Sequence, residues 1–467
     1  IASMVRTATD RVTVMIDPGN YEEMLVINEP LVTLKNASLT PSTAITNTGV
    51  DINPNAVRIT SYYGHGYTYY SMSSDQKWNQ EVLNVNTQNG YASYTNVGAG
   101  TTNGSYWNAT VVVGADGFEA EHIIFENSFN QYISNKEAQD VVVAWTTGSP
   151  GVRPINAGNT SVQNKSFVER AAAIAIKNNI QKTILNKCRV IGRQDSFFGG
   201  VNSRVAVYKG DMMGSTDYIF GGMNVVFYQS KLSMNVSDAS NDVSYITAAQ
   251  QSSGRGYLMY ECTVTSAEPG IETASAYRAK PGYFGRPWLA NTSEVVFYNT
   301  TIETSNNPSF NGQSLIMPLG WLNTLGGTSS GMYEFGTIEQ SGVNNTPSRA
   351  SWATTLTSPV LNDNTPITTL NFTQGNDGWD PFPLLIANDA LGNNYFHTSN
   401  VNALSYKNTI AITNVTSQTN VYFYGLNGVL VKSISIENDT TFNMSPGLWI
   451  VVVKSEEGFN SFKLITK

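Results

Sequence analysis

This sequence predicts an all-β protein: a right-handed parallel β-helix followed by a small C-terminal β-sandwich. Three observations predict it: strand-like runs recur at a near-constant spacing, charged residues are scarce, and the residue pattern changes near the C-terminal end.

The recurring runs are Ile123–Asn127, Ile184–Cys188, Val205–Lys209, Val225–Gln229, Tyr257–Glu261 and Val295–Asn299, all rich in Val, Ile, Tyr or Phe. None shows the 3.6-residue apolar spacing of an amphipathic helix, so they read as strands. With Cys188, Gly210 and Ser230 as equivalent positions, the steps are 22 residues (210 − 188) and 20 residues (230 − 210), a period typical of stacked one-dimensional folds. Later steps stretch to 32 (262 − 230) and 38 (300 − 262), and the surplus at 233–244 and 266–281 is polar or contains Gly and Pro, as inserted loops do. A propeller or sandwich needs several hairpin-linked strands per unit, whereas one strong strand per coil fits a β-helix. Cys188 and Cys262 occupy the same place in their repeats, so both should point into the core two or more coils apart. No disulfide is expected between them, and they lack the spacing of a metal site.

Charged residues make up 13% of the 467, against about 25% in an average soluble protein, while Gly and Tyr are plentiful. The formal charge of −8 and a pI of about 5.0 argue against nucleic acid or an anionic membrane as partner, since neither gains counterion release from an acidic surface. An acidic polysaccharide would need a locally basic cleft. The longest dense apolar run, Leu448–Val453, falls far short of the roughly 18 residues of a membrane span. The chain opens at Ile1 without initiator Met or leader, which fits a mature or trimmed form, so compartment is not read from its start.

Beyond Trp379-Asp380-Pro381-Phe382-Pro383 the pattern becomes alternating, as in Val421–Tyr424, Leu430–Ile436 and Leu448–Val453. Two domains are therefore expected, 1–386 and 387–467, the second a small sandwich.

Asp195, in Gly192-Arg193-Gln194-Asp195-Ser196-Phe197, and Asp217, in Thr216-Asp217-Tyr218-Ile219-Phe220-Gly221, stand 22 positions apart (217 − 195), one coil. Neighbouring strands lie about 4.8 Å apart, so stacking would bring the carboxyls close enough for one to keep its proton while the other ionises. Such a pair can divide into acid and nucleophile. Spacing alone admits bland turn residues or an Asx ladder equally.

Motif order adds to this reading. Gly19-x-Tyr21-x-Glu23, Gln194-Asp195-Ser196-Phe197, Asp217-Tyr218-Ile219-Phe220-Gly221 and Phe284-Gly285-Arg286-Pro287-Trp288 follow one another in a series that resembles that of pectin methylesterases. Weaker matches at Ile246–Gln250, Pro318–Trp321, Arg349 with Trp352, and Trp379–Pro381 extend the similarity over residues 11–385. The resemblance implies hydrolysis of uronate methyl esters in pectic polysaccharide without cofactor or metal. By it, Asp217 is the nucleophile, Asp195 the general acid/base, Gln194 an oxyanion donor and Arg286 the group that keeps the nucleophile ionised. Trp288, Tyr218, Tyr283 and Phe198 are expected to bind substrate. It further implies a secreted, periplasmic or cell-surface bacterial protein, working as a monomer.

One departure stands at Glu169-Arg170-Ala171-Ala172-Ala173-Ile174, where the family has Gln at the position of Arg170. Arg170 is expected near the aspartates, as a charged donor, as a binder of substrate carboxylate, or as the mark of an altered site. Long polar insertions at 51–106 and 136–166 are expected to reshape the cleft. The ending Ser445-Pro446-Gly447-Leu448-Trp449 with Phe462-Lys463-Leu464-Ile465 resembles C-terminal sorting domains of Bacteroidetes surface proteins.

Other readings remain. Gly327-Thr328-Ser329-Ser330-Gly331 satisfies G-x-S-x-G but lies in a polar loop without the flanking strand and helix of a nucleophile elbow, and only His65, His122 and His397 are available as bases. A polysaccharide lyase can share the fold, as can a non-catalytic glycan-binding solenoid using Tyr283, Trp288, Trp321 and Phe198 as stacking platforms.

Overall fold

The structure is a computed structural model that describes residues 4, 6–64, 108–140, 153–164, 170–238, 241–390, 400–425, 429–455 and 458–467. The chain divides into two compact units, Ile1–Pro383 and Leu384–Lys467.

The first unit is a solenoid of three parallel sheets. Among the described residues one has ten strands, the next nine and the third seven. A representative coil runs through Thr183–Asn186 in the first sheet, Arg189–Ile191 in the second and Phe197–Gly199 in the third, then re-enters the first at Arg204–Tyr208. Strands this short, rich in Val, Ile and Phe, suit a pleated surface that packs one side inward. The inward residues, among them Leu185, Val190, Phe197, Val207, Ile219 and Phe227, form one continuous apolar core.

The expected register is present: Arg189 pairs with Asp211, Asp211 with Lys231, Lys231 with Thr263 and Thr263 with Thr301. Cys188, Gly210, Ser230, Cys262 and Thr300 are thus equivalent, and the two cysteines are buried and unbonded three coils apart. The corner before them carries a left-handed non-glycine residue in six successive coils, with φ of 54° at His122, 51° at Lys187, 47° at Lys209, 46° at Gln229, 52° at Glu261 and 48° at Asn299. Left-handed backbone is uncommon outside glycine, and here these six coils use it to turn from the first sheet to the second. Stacked rings of Tyr208, Tyr228, Tyr260, Tyr298 and Phe335, with centroids 4.8–5.6 Å apart, run along the first sheet.

The second unit holds two antiparallel sheets. Asn402–Tyr406, Thr409–Thr413 and Thr440–Asn443 form one, and Leu430–Ile436, Thr419–Gly425, Gly447–Ser455 and Gly458–Thr466 form the other. Ala403, Ile410, Ile412 and Phe442 from the first pack with Val421, Phe423, Val451 and Val453 from the second into one core, which makes a sandwich. No helix among the described residues is long and apolar enough to cross a membrane. Most of the two polar insertions, at 65–107, 141–152 and 165–169, lies outside the described residues.

Candidate active site

The site forms beside the third sheet, where register fixes which side chains meet. Phe197 pairs with Ile219, and Gln194 bridges Thr216, so Asp195 and Asp217 sit one strand apart in matching turns. Both adopt left-handed backbone, φ 55° and 50°, and the Asp195 amide donates to the Thr216 carbonyl at 3.1 Å. Both are buried, with 5% and 6% exposure.

Arg286 distinguishes the two. Its Nε donates to Asp217 Oδ1 at 2.9 Å and its Nη2 to Oδ2 at 2.6 Å, a two-pronged ion pair. The Arg286 amide is held by the Thr247 carbonyl at 3.0 Å, and the guanidinium carbon lies 4.1 Å from the Tyr245 ring centroid. Tyr245 in turn stacks on Tyr283 at 5.7 Å. A planar cation resting on an aromatic face presents its fork in one plane, which is how it meets both carboxylate oxygens. Gly285 makes the turn possible: a Cβ there would stand 2.1 Å from Thr247 Oγ1 and 2.3 Å from its carbonyl oxygen.

Electrostatics separate the pair further. Burial, then the neighbouring Asp217 charge, pushes Asp195 well above the usual carboxylate range, against the weaker opposite pull of Arg170 and Arg286. Burial also raises Asp217, but there the Arg286 hydrogen bonds and charge oppose it. The proton therefore belongs on Asp195, and Asp217 is the carboxylate that ionises, because only Asp217 holds both prongs of the guanidinium.

Arg170 reaches the same place, with Nε 3.9 Å from Asp195 Oδ2 and its side chain 31% exposed. Gln194 is half-buried, and its Oε1 is buried with no hydrogen-bond partner among the described residues. Rotating that amide by a half turn would present its NH2 group instead. Phe198, Phe220 and Trp288 form an aromatic run, with centroids 4.7 Å and 5.9 Å apart, in which Phe198 and Trp288 are half-exposed. The structure thus gathers Arg170, Gln194, Asp195, Asp217 and Arg286, with Phe198, Trp288 and Tyr283 alongside.

Two expectations need correction. Tyr218 is 1% exposed and packs in the solenoid core, so it offers no surface to a substrate; the left-handed turn at Asp217 sends the following side chain inward. Trp321 is likewise 1% exposed, packed on Phe284 and Phe297, and is no stacking platform. Ser329 is buried and its hydroxyl donates to the Ser293 carbonyl at 2.7 Å. Sequence reasoning missed Tyr245, which backs Arg286, and Phe220, which at 1% exposure touches no substrate and only backs Phe198 and Trp288. Tyr245 was findable as the register partner of Tyr283, and Phe220 as the partner of Phe198 one coil before it. Among the described residues no three His, Cys, Asp or Glu side chains converge as a metal-binding group would.

The pectinesterase family model matches residues 133–376, more than half of the chain, and spans the Asp195, Asp217 and Arg286 motifs. The chain belongs to the pectinesterase family. Relatives of this pectinesterase-family chain include probable pectinesterase/pectinesterase inhibitor 41 of Arabidopsis thaliana, 27% identical over 52% of this chain and 40% of that protein. Putative pectinesterase/pectinesterase inhibitor 38 of the same plant is 23% identical over 56% and 49%. The chain therefore spans half or less of the length of these relatives. Solved structures similar to it include the pectin methylesterase of Aspergillus niger, with TM-score 0.46, 18% identity and coverage of 79% of this chain and 87% of that one. The carrot pectin methylesterase gives TM-score 0.46, 17% identity and coverage of 80% and 88%.

Proposed function

We propose that this chain hydrolyses methyl esters of uronic acids in pectic polysaccharide, with Asp217 as nucleophile and Asp195 as general acid and base. The observation that carries the reading is the unequal setting of two buried aspartates one coil apart: Arg286 grips Asp217 through both oxygens, while Asp195 is pushed well above the usual carboxylate range. A carboxylate held ionised beside a carboxylic acid is what a two-step acyl transfer requires.

In the first step an Asp217 oxygen attacks the ester carbonyl carbon, and the tetrahedral oxyanion is met by the Gln194 amide and the Arg170 guanidinium. Collapse breaks the bond to the methoxy oxygen, which takes the Asp195 proton and leaves as methanol. An anhydride then joins the uronyl group to Asp217. In the second step Asp195, now ionised, takes a proton from water, whose oxygen attacks the uronyl carbon. Collapse releases the Asp217 carboxylate and the new uronic acid, which loses its proton to solvent. Arg286 balances the returning charge on Asp217 throughout. Arg170, where the family carries a neutral donor, adds positive charge next to the scissile ester and favours a substrate with a carboxylate close by. Phe198 and Trp288 supply apolar faces against which sugar rings can pack.

A pectic substrate implies action outside the cytoplasm, in a secreted, periplasmic or cell-surface location, with the chain acting as a monomer and the C-terminal sandwich serving as a sorting or accessory module. The deciding experiment is product analysis on methyl-esterified pectin. Methanol with an intact polymer supports the reading; unsaturated oligomers would replace it with a lyase, and no product would leave a binding solenoid.

A further inference from the structure

The two aspartate turns are held from behind by a buried pair of amides that lies outside every motif read from the sequence. Gly192 and Gly214 stand three residues ahead of Asp195 and Asp217 (195 − 192 and 217 − 214), where the chain leaves the second sheet for the third. Gln131, 2% exposed, donates through Nε2 to the Gly192 carbonyl at 2.8 Å. Its Oε1 accepts from Asn235 Nδ2 at 3.2 Å, and the Asn235 backbone amide donates to the Gly214 carbonyl at 2.7 Å. One Gln–Asn bridge therefore touches both the turn that carries Asp195 and the turn that carries Asp217.

The bridge is directional. The Gly192 carbonyl demands the NH2 group of Gln131 and the Asn235 amide demands its oxygen, so a flipped Gln131 would lose both bonds. The Gln131 backbone is fixed as well: its amide donates to the Ser128 carbonyl at 2.8 Å, and its carbonyl accepts from Gln163 Nε2 at 2.8 Å. Gln163 is itself buried; it reaches on to the Thr48 carbonyl at 3.1 Å and accepts from the Thr273 hydroxyl at 3.1 Å and the Ala274 amide at 2.7 Å. Asn235 receives the buried Arg193 guanidinium on its carbonyl, and the Arg193 carbonyl in turn accepts from the Ser215 and Thr216 amides at 2.7 Å and 3.1 Å. Hydrogen-bonded amides in a low-dielectric interior hold their geometry firmly, because losing one member strands the others without water to replace it.

We infer that Gln131 is a positioning residue of this site. Strand pairing fixes how far apart the two turns stand, and Gln131, acting through Gly192 and Asn235, fixes how the Asp195 carboxyl is aimed relative to Asp217. The inference rests on the proposed esterase reading and adds to it a residue 64 positions before Asp195 (195 − 131). In that reading Asp195 must give its proton to the departing oxygen and later take one from water, both at the carbon that Asp217 attacks. A small rotation of its turn then costs rate without weakening the hold on polymer.

The test uses the full chain with Gln131→Met, which roughly keeps the side chain's length and removes both of its hydrogen bonds. On methyl-esterified pectin, kcat should fall about tenfold or more while KM stays within about twofold of wild type. Ile302→Ala, a core substitution remote from the aspartates, serves as the comparison for lost stability and should keep kcat within about twofold. Gln131→Met with kcat within about twofold of wild type, a loss expressed mainly in KM, or an equal loss in Ile302→Ala would each overturn the assignment. Should Gln131→Met fold poorly by thermal melting, Gln131→Glu is read instead: a neutral carboxyl offers one O–H to Gly192 and one oxygen to Asn235, as the amide does, whereas the ionised form can only accept. Its kcat relative to wild type should fall about tenfold or more as pH rises and the new carboxyl ionises; a ratio that does not change with pH overturns the assignment. A wild type that releases no methanol removes the esterase reading, and the Asp195 carboxyl then decides on Gln131. Its titration is followed by carbon-13 NMR of labelled aspartate, assigned with Asp195→Asn, in wild type and in Gln131→Met. A downward shift of about half a pH unit or more, from a carboxyl no longer aimed at Asp217, supports the positioning role, and an unmoved titration ends it.

Discussion

Arg286 meets Asp217 oxygen for oxygen, Nε on Oδ1 at 2.9 Å and Nη2 on Oδ2 at 2.6 Å, while the Tyr245 face supports the guanidinium from behind. That contact, absent at Asp195, gives two aspartates of otherwise similar burial different electrostatic settings, and most of the expected behaviour of the proposed mechanism follows from it.

Asp217→Asn removes the proposed nucleophile and keeps its shape. Turnover on methyl-esterified pectin should fall by a factor of about a thousand or more, with polymer affinity within a few-fold of wild type. Residual activity above about a tenth of wild type would remove Asp217 from that role.

The rate on the acid side should follow Asp217 ionisation. Because burial lifts this carboxyl above its ordinary range despite Arg286, the acid limb should lie above the pH at which a free aspartate titrates, about 3.9. Arg286→Ala removes the opposing pull and should move the limb to still higher pH as well as slowing the reaction; a pH–rate profile of both proteins checks this.

Stability should respond to Asp195 in the opposite sense from a salt-bridged carboxylate. Its folded-state pKa is raised, so the native state binds the proton more tightly than the unfolded chain does. The stabilising contribution is complete below the unfolded pKa of about 3.9 and is lost as pH rises through the elevated folded value. Asp195→Asn should therefore melt higher than wild type at neutral and alkaline pH and lose that advantage in acid, while turnover collapses. Melting curves that stay parallel across pH would contradict the assignment of the proton.

Gly285→Ala places a methyl group against Thr247 backbone and side chain, in the residue that positions Arg286. A cost of about 1–3 kcal/mol in stability is expected, with a rate loss larger than that of an equally destabilising substitution in the remote core, such as Ile302→Val. Denaturant unfolding and kcat measured together distinguish the two effects.

Arg170→Ala should slow the natural ester far more than it lowers the melting temperature, because a half-exposed guanidinium 3.9 Å from its partner contributes little to folding. Arg170→Gln should recover part of the rate while changing preference among substrates that differ in neighbouring carboxylates.

The coil register was legible because equivalent positions repeat chemical type: an apolar run, a turn residue, then a small or thiol side chain at 188, 210, 230 and 262. The aspartate pair follows from that register. The direction of Tyr218 was not legible, since a left-handed residue at Asp217 shifts the inside–outside alternation by one and motif matching alone does not reveal it. Trp321 misled for a related reason: a large aromatic beside Gly320 reads equally as platform or as core.

The pairing of Phe197 with Ile219 sets the spacing of Asp195 and Asp217 by the rise between adjacent hydrogen-bonded strands, a length that side-chain substitution cannot adjust. Between strands, however, the chain passes from Ser230 to Cys262 and from Cys262 to Thr300 with far more residues than between Cys188 and Gly210, and the pairing downstream is undisturbed. Loops can thus be lengthened, shortened or exchanged between homologues around a reaction centre of invariant dimensions. Selection for a new polymer would act on the borders of such a scaffold, and a graft of one loop should carry substrate preference with it while leaving the chemistry in register.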